Sequence, residues 1–193
     1  MAWACSGKTN VELVNNMLNA GLFKSELVGE ALRRVDRVNY VRNKHDAYYD
    51  SPQSIGHAAT ISAPHMARLS IQWNHEHLLP LLKPGAKVLD VGSGSGYTCA
   101  IFHHLVNPTG SEGGKVVGID HISELVDWSA DNLKRDGLGA YISNGAIKMV
   151  CGDGRLVGPD GGAQYIYQVD KDESGNVKEE KLFGVRRAES MYY

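Results

Sequence analysis

Three groups of residues have the types and spacing to do chemistry. The first is Val88-Leu89-Asp90-Val91-Gly92-Ser93-Gly94-Ser95-Gly96, a short apolar run that ends in a carboxylate and opens into three alternating glycines. It reads as a buried strand turning sharply into a helix, with glycine permitting positive φ and the close approach of a ligand. The dinucleotide fingerprint G-x-G-x-x-G is matched poorly, because the third glycine comes one place early and Tyr97 stands in its position. Asp90 decides the ligand class by charge: a carboxylate beside the cradle repels a pyrophosphate and attracts a cationic amino group. S-adenosylmethionine (AdoMet), which carries an ammonium, a sulfonium and no phosphate, fits that requirement.

The second group is Asp120 at the end of Lys115-Val116-Val117-Gly118-Ile119-Asp120, with His121 next to it. It lies roughly twenty residues beyond the cradle, where α/β nucleotide folds place a carboxylate that accepts hydrogen bonds from ribose hydroxyls. The third is the stretch from Tyr48 to Met66, which loses helical and strand periodicity and reads as a long functional loop. It offers the hydroxyls of Thr60 and Ser62 and the imidazoles of His57 and His65. No G-x-S-x-G elbow surrounds Ser62, so hydrogen-bond donation to a substrate is favoured over a serine nucleophile.

Helices and strands must position these groups. Thr9 and Glu12 have capping-box spacing ahead of Val11, Leu13, Val14, Met17 and Leu18, which predicts a first helix that breaks at Gly21. A second is predicted from about Ser25 to about Val35, with Leu27, Val28, Ala31, Leu32 and Val35 on its buried side. A third is expected from Met66 to Leu82; His75 and His77 on it are two apart and face different ways. Beyond the cradle, helices over Thr98–Val106 and about Ser123–Arg135 alternate with the Asp120 strand and with Ile147-Lys148-Met149-Val150-Cys151, which runs into Gly152-Asp153-Gly154. This alternation predicts a doubly wound, mostly parallel α/β sheet with its ligand site along the carboxyl ends of the strands.

The length of 193 residues suits one domain, and 42% hydrophobic residues are enough for a core. A net charge of −2 gives no nucleic-acid signal, and no apolar run or leader predicts a membrane or secretory segment. Cys5, Cys99 and Cys151 are too few and too scattered for a disulfide framework or a zinc site, so no metal is expected and a reducing, cytoplasmic compartment is.

Taken together, Asp50-Ser51-Pro52-Gln53-Ser54-Ile55-Gly56, Ala59-Thr60-Ile61-Ser62-Ala63-Pro64-His65-Met66, the cradle, Gly118-Ile119-Asp120-His121-Ile122 and Gly152-Asp153-Gly154-Arg155 resemble the protein-L-isoaspartate (D-aspartate) O-methyltransferases. The resemblance runs almost continuously from Met1 to about Gly158. It implies a monomeric repair enzyme with a Rossmann-like class I AdoMet-dependent fold. Such an enzyme transfers the AdoMet methyl to the free α-carboxylate of L-isoaspartyl and D-aspartyl residues in damaged proteins and peptides. By matching motif, Ser62 would orient the acceptor carboxylate with His65 beside it, and Ala59, Thr60 and Ile61 would line the site. Asp90, Gly92 and Gly94 would hold the methionine end, Asp120 the ribose, His121 the adenosine surroundings, and Gly152 and Asp153 the adenine edge. The chain would be one methyltransferase domain: residues 1–84 supply helices and the active-site loop, 85–158 the AdoMet core, and 159–193 a hairpin and divergent tail.

The last third departs from that pattern. Leu156-Val157-Gly158 runs directly into Pro159-Asp160-Gly161-Gly162, without the strand-helix-strand unit expected between them, while a hairpin of Gln164–Val169 with Lys181–Val185 remains. The central strands are therefore expected to be absent, leaving the first core strand with an open flank. Impaired catalysis follows as an expectation. A non-catalytic protein that binds AdoMet or damaged protein is one alternative, and a small-molecule methyltransferase is another.

Overall fold

A computed structural model of the chain describes residues 5–65, 79–154, 165–171 and 177–184. Most of the helix expected from Met66, with His75 and His77, lies outside the described residues, as do Arg155 and the residues between the two strands of the expected C-terminal hairpin. The chain forms two compact units, Met1–Gly154 and Arg155–Tyr193.

The first unit opens with α1 (Asn10–Asn19) and α2 (Glu26–Arg34). The Thr9 hydroxyl accepts the Glu12 amide at 3.2 Å, and the Glu12 carboxylate reaches back to the Lys8 amide at 2.8 Å, one residue earlier than a standard capping box. Leu13, Val14, Met17, Val28, Ala31 and Leu32 are buried as expected, but Val11 and Leu27 face solvent. Each lies just inside a helix start, where the apolar stripe has already turned away from the core. The buried Asn10 amide donates to the carbonyls of Leu32 and Val35 at 3.0 and 3.1 Å, closing the C-terminal end of α2.

The stretch read as irregular between Tyr48 and Met66 contains a hairpin, a correction to that reading. Strand β1 (Gln53–Gly56) pairs antiparallel with β2 (Ala59–Ile61) in the register Gln53↔Ile61, Ser54↔Thr60. Its two-residue turn places His57 and Ala58 at φ 54° each. Turns of this kind ordinarily use Asn-Gly, and no such signal is present.

The parallel sheet consists, among the described residues, of β3 (Lys87–Val91), β4 (Lys115–Asp120) and β5 (Ile147–Cys151) in that order. Helix α3 (Tyr97–Val106) joins β3 to β4, and α4 (Ser123–Arg135) followed by the short α5 (Gly139–Ser143) joins β4 to β5. Both crossovers step the same way across the sheet, so both long helices cover one face. Leu105, Leu125, Leu133 and Ile147, from these helices and from β5, are buried in one core that the N-terminal helices share. On the opposite face Leu89 and Val91 are 46% and 50% exposed. The register Asp90↔Gly118 and Asp120↔Cys151 aligns the carboxyl ends of the strands along one edge.

Asp136, beyond α4, ties the N-terminal elements to the sheet layer. Its carboxylate accepts the Asp36 amide, the Asn39 side chain and the Tyr40 hydroxyl at 3.2, 2.7 and 2.7 Å. In the second unit, β6 (Tyr165–Lys171) and β7 (Val177–Gly184) form the expected antiparallel hairpin. No helix among the described residues is long and apolar enough to cross a membrane.

Candidate cofactor and acceptor site

The cradle follows β3 directly. Gly92, Gly94 and Gly96 have φ of 81°, 50° and 82°, so all three use backbone that side chains disfavour. Their surroundings differ. A Cβ on Gly92 meets nothing within 4 Å, whereas one on Gly96 lies 3.3 Å from Ser129 Cβ, so Gly96 serves the close packing of α3 on α4.

Four of the cradle's amides are committed inward. Gly92 and Ser93 donate to the Ile119 carbonyl at 2.8 and 3.1 Å, Gly94 donates to Asp120 Oδ2 at 2.9 Å, and Gly96 donates to Ser93 at 2.9 Å. A phosphate-binding loop needs such groups aimed at its anion. The turn therefore offers an uncrowded backbone edge at Gly92, flanked by carboxylates, a donor set suited to a cationic, hydroxyl-bearing ligand without phosphate.

Asp90, partly buried at the end of β3, accepts from Cys99 Sγ at 3.3 Å. Burial pushes its pKa up, against the Cys99 hydrogen bond and with the nearby Asp120 charge. The Cys99 thiol is raised well above its ordinary range, first by burial and then by Asp90, so it stays a neutral donor. Room for this contact comes from Gly118 on β4, where a Cβ would lie 2.8 Å from Cys99 Sγ and 2.6 Å from Met149 Cε.

Asp120 is 7% exposed. Besides the Gly94 amide it accepts the Ile122 amide on Oδ1 at 3.1 Å, and each oxygen keeps acceptor capacity for a hydroxyl. The His121 ring is largely exposed, with Nδ1 3.5 Å from Asp120 Oδ1. The Gly152 amide donates to the Asp120 carbonyl at 2.9 Å, bringing Gly152 and the partly buried Asp153 to the same strand-end edge.

The hairpin of β1 and β2 sits against this cradle: Ile55 Cδ1 is 3.3 Å from where a Gly94 Cβ would be. Alternation turns Ile55 and Ile61 inward and leaves Ser54 and Thr60 exposed, with Ala59 partly buried. Ser62, next after Ile61, is exposed as well. The segment is held from below at two points. Arg37 Nη2 donates to the Ser62 carbonyl at 2.8 Å, and Asp50 Oδ1 accepts the His65 amide and meets its Nδ1, both at 2.8 Å. Asp50 is 1% exposed, so the half-buried His65 ring is fixed by a carboxylate beneath it.

A family model for protein-L-isoaspartate (D-aspartate) O-methyltransferase matches residues 8–165. The chain belongs to this family. It is 42% identical over 146 residues to protein-L-isoaspartate O-methyltransferase 1 of Arabidopsis thaliana, covering 76% of this chain and 60% of that protein. A Caenorhabditis elegans protein-L-isoaspartate O-methyltransferase is 39% identical over 155 residues, covering 80% and 64%. The chain thus spans about three fifths of the length of these curated relatives. A crystal structure of a Plasmodium falciparum protein assigned to the same family, bound to S-adenosyl-L-homocysteine, superposes with a TM-score of 0.74. It is 24% identical, and the match covers 93% of this chain and 97% of that one. The class I AdoMet-dependent methyltransferase fold expected from the sequence is thereby shown for this chain. Sequence reasoning passed over three residues of its candidate site. Arg37 and Asp50 act across long sequence separations, and nothing in the local sequence marks Cys99 as the partner of Asp90.

Proposed function

We propose that this chain is a protein-L-isoaspartate O-methyltransferase that uses AdoMet, as its curated relatives' names and its site chemistry suggest. The observation that carries the reading is the seating of the Thr60–Ser62 hydroxyls, on a hairpin packed at Gly94, beside a glycine turn whose amides are committed and whose flanks are Asp90 and Asp120.

When bound, AdoMet supplies an electrophilic methyl on a sulfonium. Asp90 would face its ammonium, with Gly92 and Gly94 forming the backbone edge beside the methionine portion. Asp120 would accept the ribose hydroxyls, with His121, Gly152 and Asp153 toward the adenine. The acceptor is a carboxylate, already anionic at neutral pH, so no general base is required of the protein. What the chain must provide is alignment of that oxygen, a contribution of proximity rather than of acid–base chemistry. Ser62 and Thr60 donate hydrogen bonds to it, Ala59 and Ile61 shape the segment, and the ring of His65, anchored on Asp50, lines the same side.

The acceptors would be L-isoaspartyl and D-aspartyl residues of damaged proteins and peptides, met by a cytoplasmic monomer acting as a single domain without nucleic-acid or membrane partners. Transfer of labelled methyl from AdoMet to an isoaspartyl peptide, and none to the same peptide with ordinary aspartate, is the expected result. Equal labelling of both peptides overturns the acceptor assignment.

A further inference from the structure

We propose that Arg37 is a positioning residue that holds the acceptor segment in register with the helix opening from the cofactor cradle. The proposal deepens the methyltransferase reading and rests on it for its kinetic part. Arg37 follows α2, in a short turn that runs to Tyr40, and its side chain is 1% exposed. Its backbone amide is pinned by Asn10 Oδ1 at 3.4 Å. The guanidinium reaches two elements. Nη2 donates to the Ser62 carbonyl at 2.8 Å, and the guanidinium carbon lies 5.4 Å from the ring centroid of Tyr97, the first residue of α3. Tyr97 follows Gly96 directly and is itself buried. One rigid fork therefore joins the residue after β2 to the residue after the glycine turn.

The surroundings are poorly explained by stability alone. Burying a guanidinium is costly, and an apolar side chain of similar volume commonly serves a core as well or better. Here Arg37 Nε and Asp50 Oδ2 are both buried without a hydrogen-bond partner, although the two side chains attract one another electrostatically. A network left partly unsatisfied is expected where position matters more than packing. What Arg37 secures is the height of one carbonyl, and through it the direction of the Ser62 side chain. A lysine keeps the charge but lacks the planar fork that spans Ser62 and Tyr97.

The test compares amide hydrogen exchange in the wild-type chain, Arg37→Lys and Tyr97→Leu, all without cofactor. Exchange over 59–65 is expected to quicken about tenfold in Arg37→Lys and by less in Tyr97→Leu, with 115–120 unchanged. Unchanged exchange at 59–65 overturns the proposal, as does an equal rise in 115–120, which marks general loosening. If Arg37→Lys does not fold, Tyr97→Leu decides by the same two criteria. In turnover, Arg37→Lys is expected to raise KM for an isoaspartyl peptide about tenfold while the Kd for S-adenosylhomocysteine stays within about threefold. A parallel loss of both affinities also overturns the positioning role. A wild-type chain that neither binds S-adenosylhomocysteine nor methylates refutes the methyltransferase reading, and the exchange comparison still decides the role of Arg37.

Discussion

The Asp120 carboxylate takes the Gly94 amide at 2.9 Å, so the strand-end acid that would receive the ribose also fixes the glycine turn beside it. The two functions share one side chain but differ in what they need. Holding the turn needs an acceptor at Oδ2, which an asparagine amide oxygen supplies; binding two hydroxyls on both oxygens needs the carboxylate. With its amide oxygen toward Gly94, Asp120→Asn turns an NH2 toward the Ile122 amide, so it is expected to lose about 1 kcal/mol of stability and about tenfold or more in affinity for S-adenosylhomocysteine. Asp120→Ala is expected to lose both, with about 2 kcal/mol of stability removed along with the bonds to Gly94 and Ile122. Denaturant titration and calorimetry on the two variants separate the contributions.

The turn at His57-Ala58 offers a second check, because both residues hold φ of 54° without being glycine. An alanine in the left-handed region costs about 1–2 kcal/mol, of which glycine's extra unfolded-state entropy returns roughly half. Ala58→Gly should raise stability by about 0.5–1 kcal/mol in equilibrium unfolding while leaving the Gln53↔Ile61 register intact. A loss of stability would mean that the alanine methyl is packed rather than strained.

That same turn marks a limit of what is legible in the sequence. The strands β3, β4 and β5 announce themselves as β-branched runs closed by Asp90, Asp120 and Gly152, and α1 by the Thr9–Glu12 spacing, because each signal lies within a few neighbouring residues. The hairpin was hidden because His-Ala carries no turn chemistry, so an ordered two-stranded element read as a loop. The direction of the cradle's amides was equally hidden. Glycine spacing tells that the backbone can turn, not that Gly92, Ser93 and Gly94 spend their N–H groups on β4. Arg37 looked like any charge after a helix, since its partners Ser62 and Tyr97 are brought to it only by the tertiary fold.

Two histidines on α3 make stability depend on acidity. His103 and His104 are buried near Arg34, Glu112 and Tyr141, and His104 Nδ1 has no hydrogen-bond partner. Burial, with Arg34 adding to it, lowers both to about 4. The native state thus refuses protons that the unfolded chain, titrating near 6.5, accepts. Nothing is lost above that value; stability falls as pH drops from about 6.5 toward 4 and levels off below. The limit is roughly 3 kcal/mol per histidine, with the His103 charge adding to the depression of His104. His104→Leu, which removes an unpartnered buried nitrogen, should leave the melting temperature at pH 7.5 unchanged or raised. It should also shrink the drop between pH 6.5 and 4.5 by about half. An unchanged slope would assign the acid sensitivity to other groups.

The open face of β3 leads to the last expectation. Leu89 and Val91 project from the side of the sheet opposite α3 and α4, and β3 has a single strand partner, β4, among the described residues. An exposed apolar row on an edge strand invites association with other chains. Replacing both by threonine keeps the β-branched shape, or introduces it at Leu89, and so preserves strand propensity while removing apolar surface. If the face is open in solution, Leu89→Thr/Val91→Thr changes stability by no more than about 0.5 kcal/mol and lowers the aggregated fraction in light scattering. If another part of the molecule covers the face, the same variant buries two hydroxyls against apolar neighbours, and the loss exceeds about 2 kcal/mol. The size of that loss therefore reports whether the sheet that carries Asp90 is finished on this side.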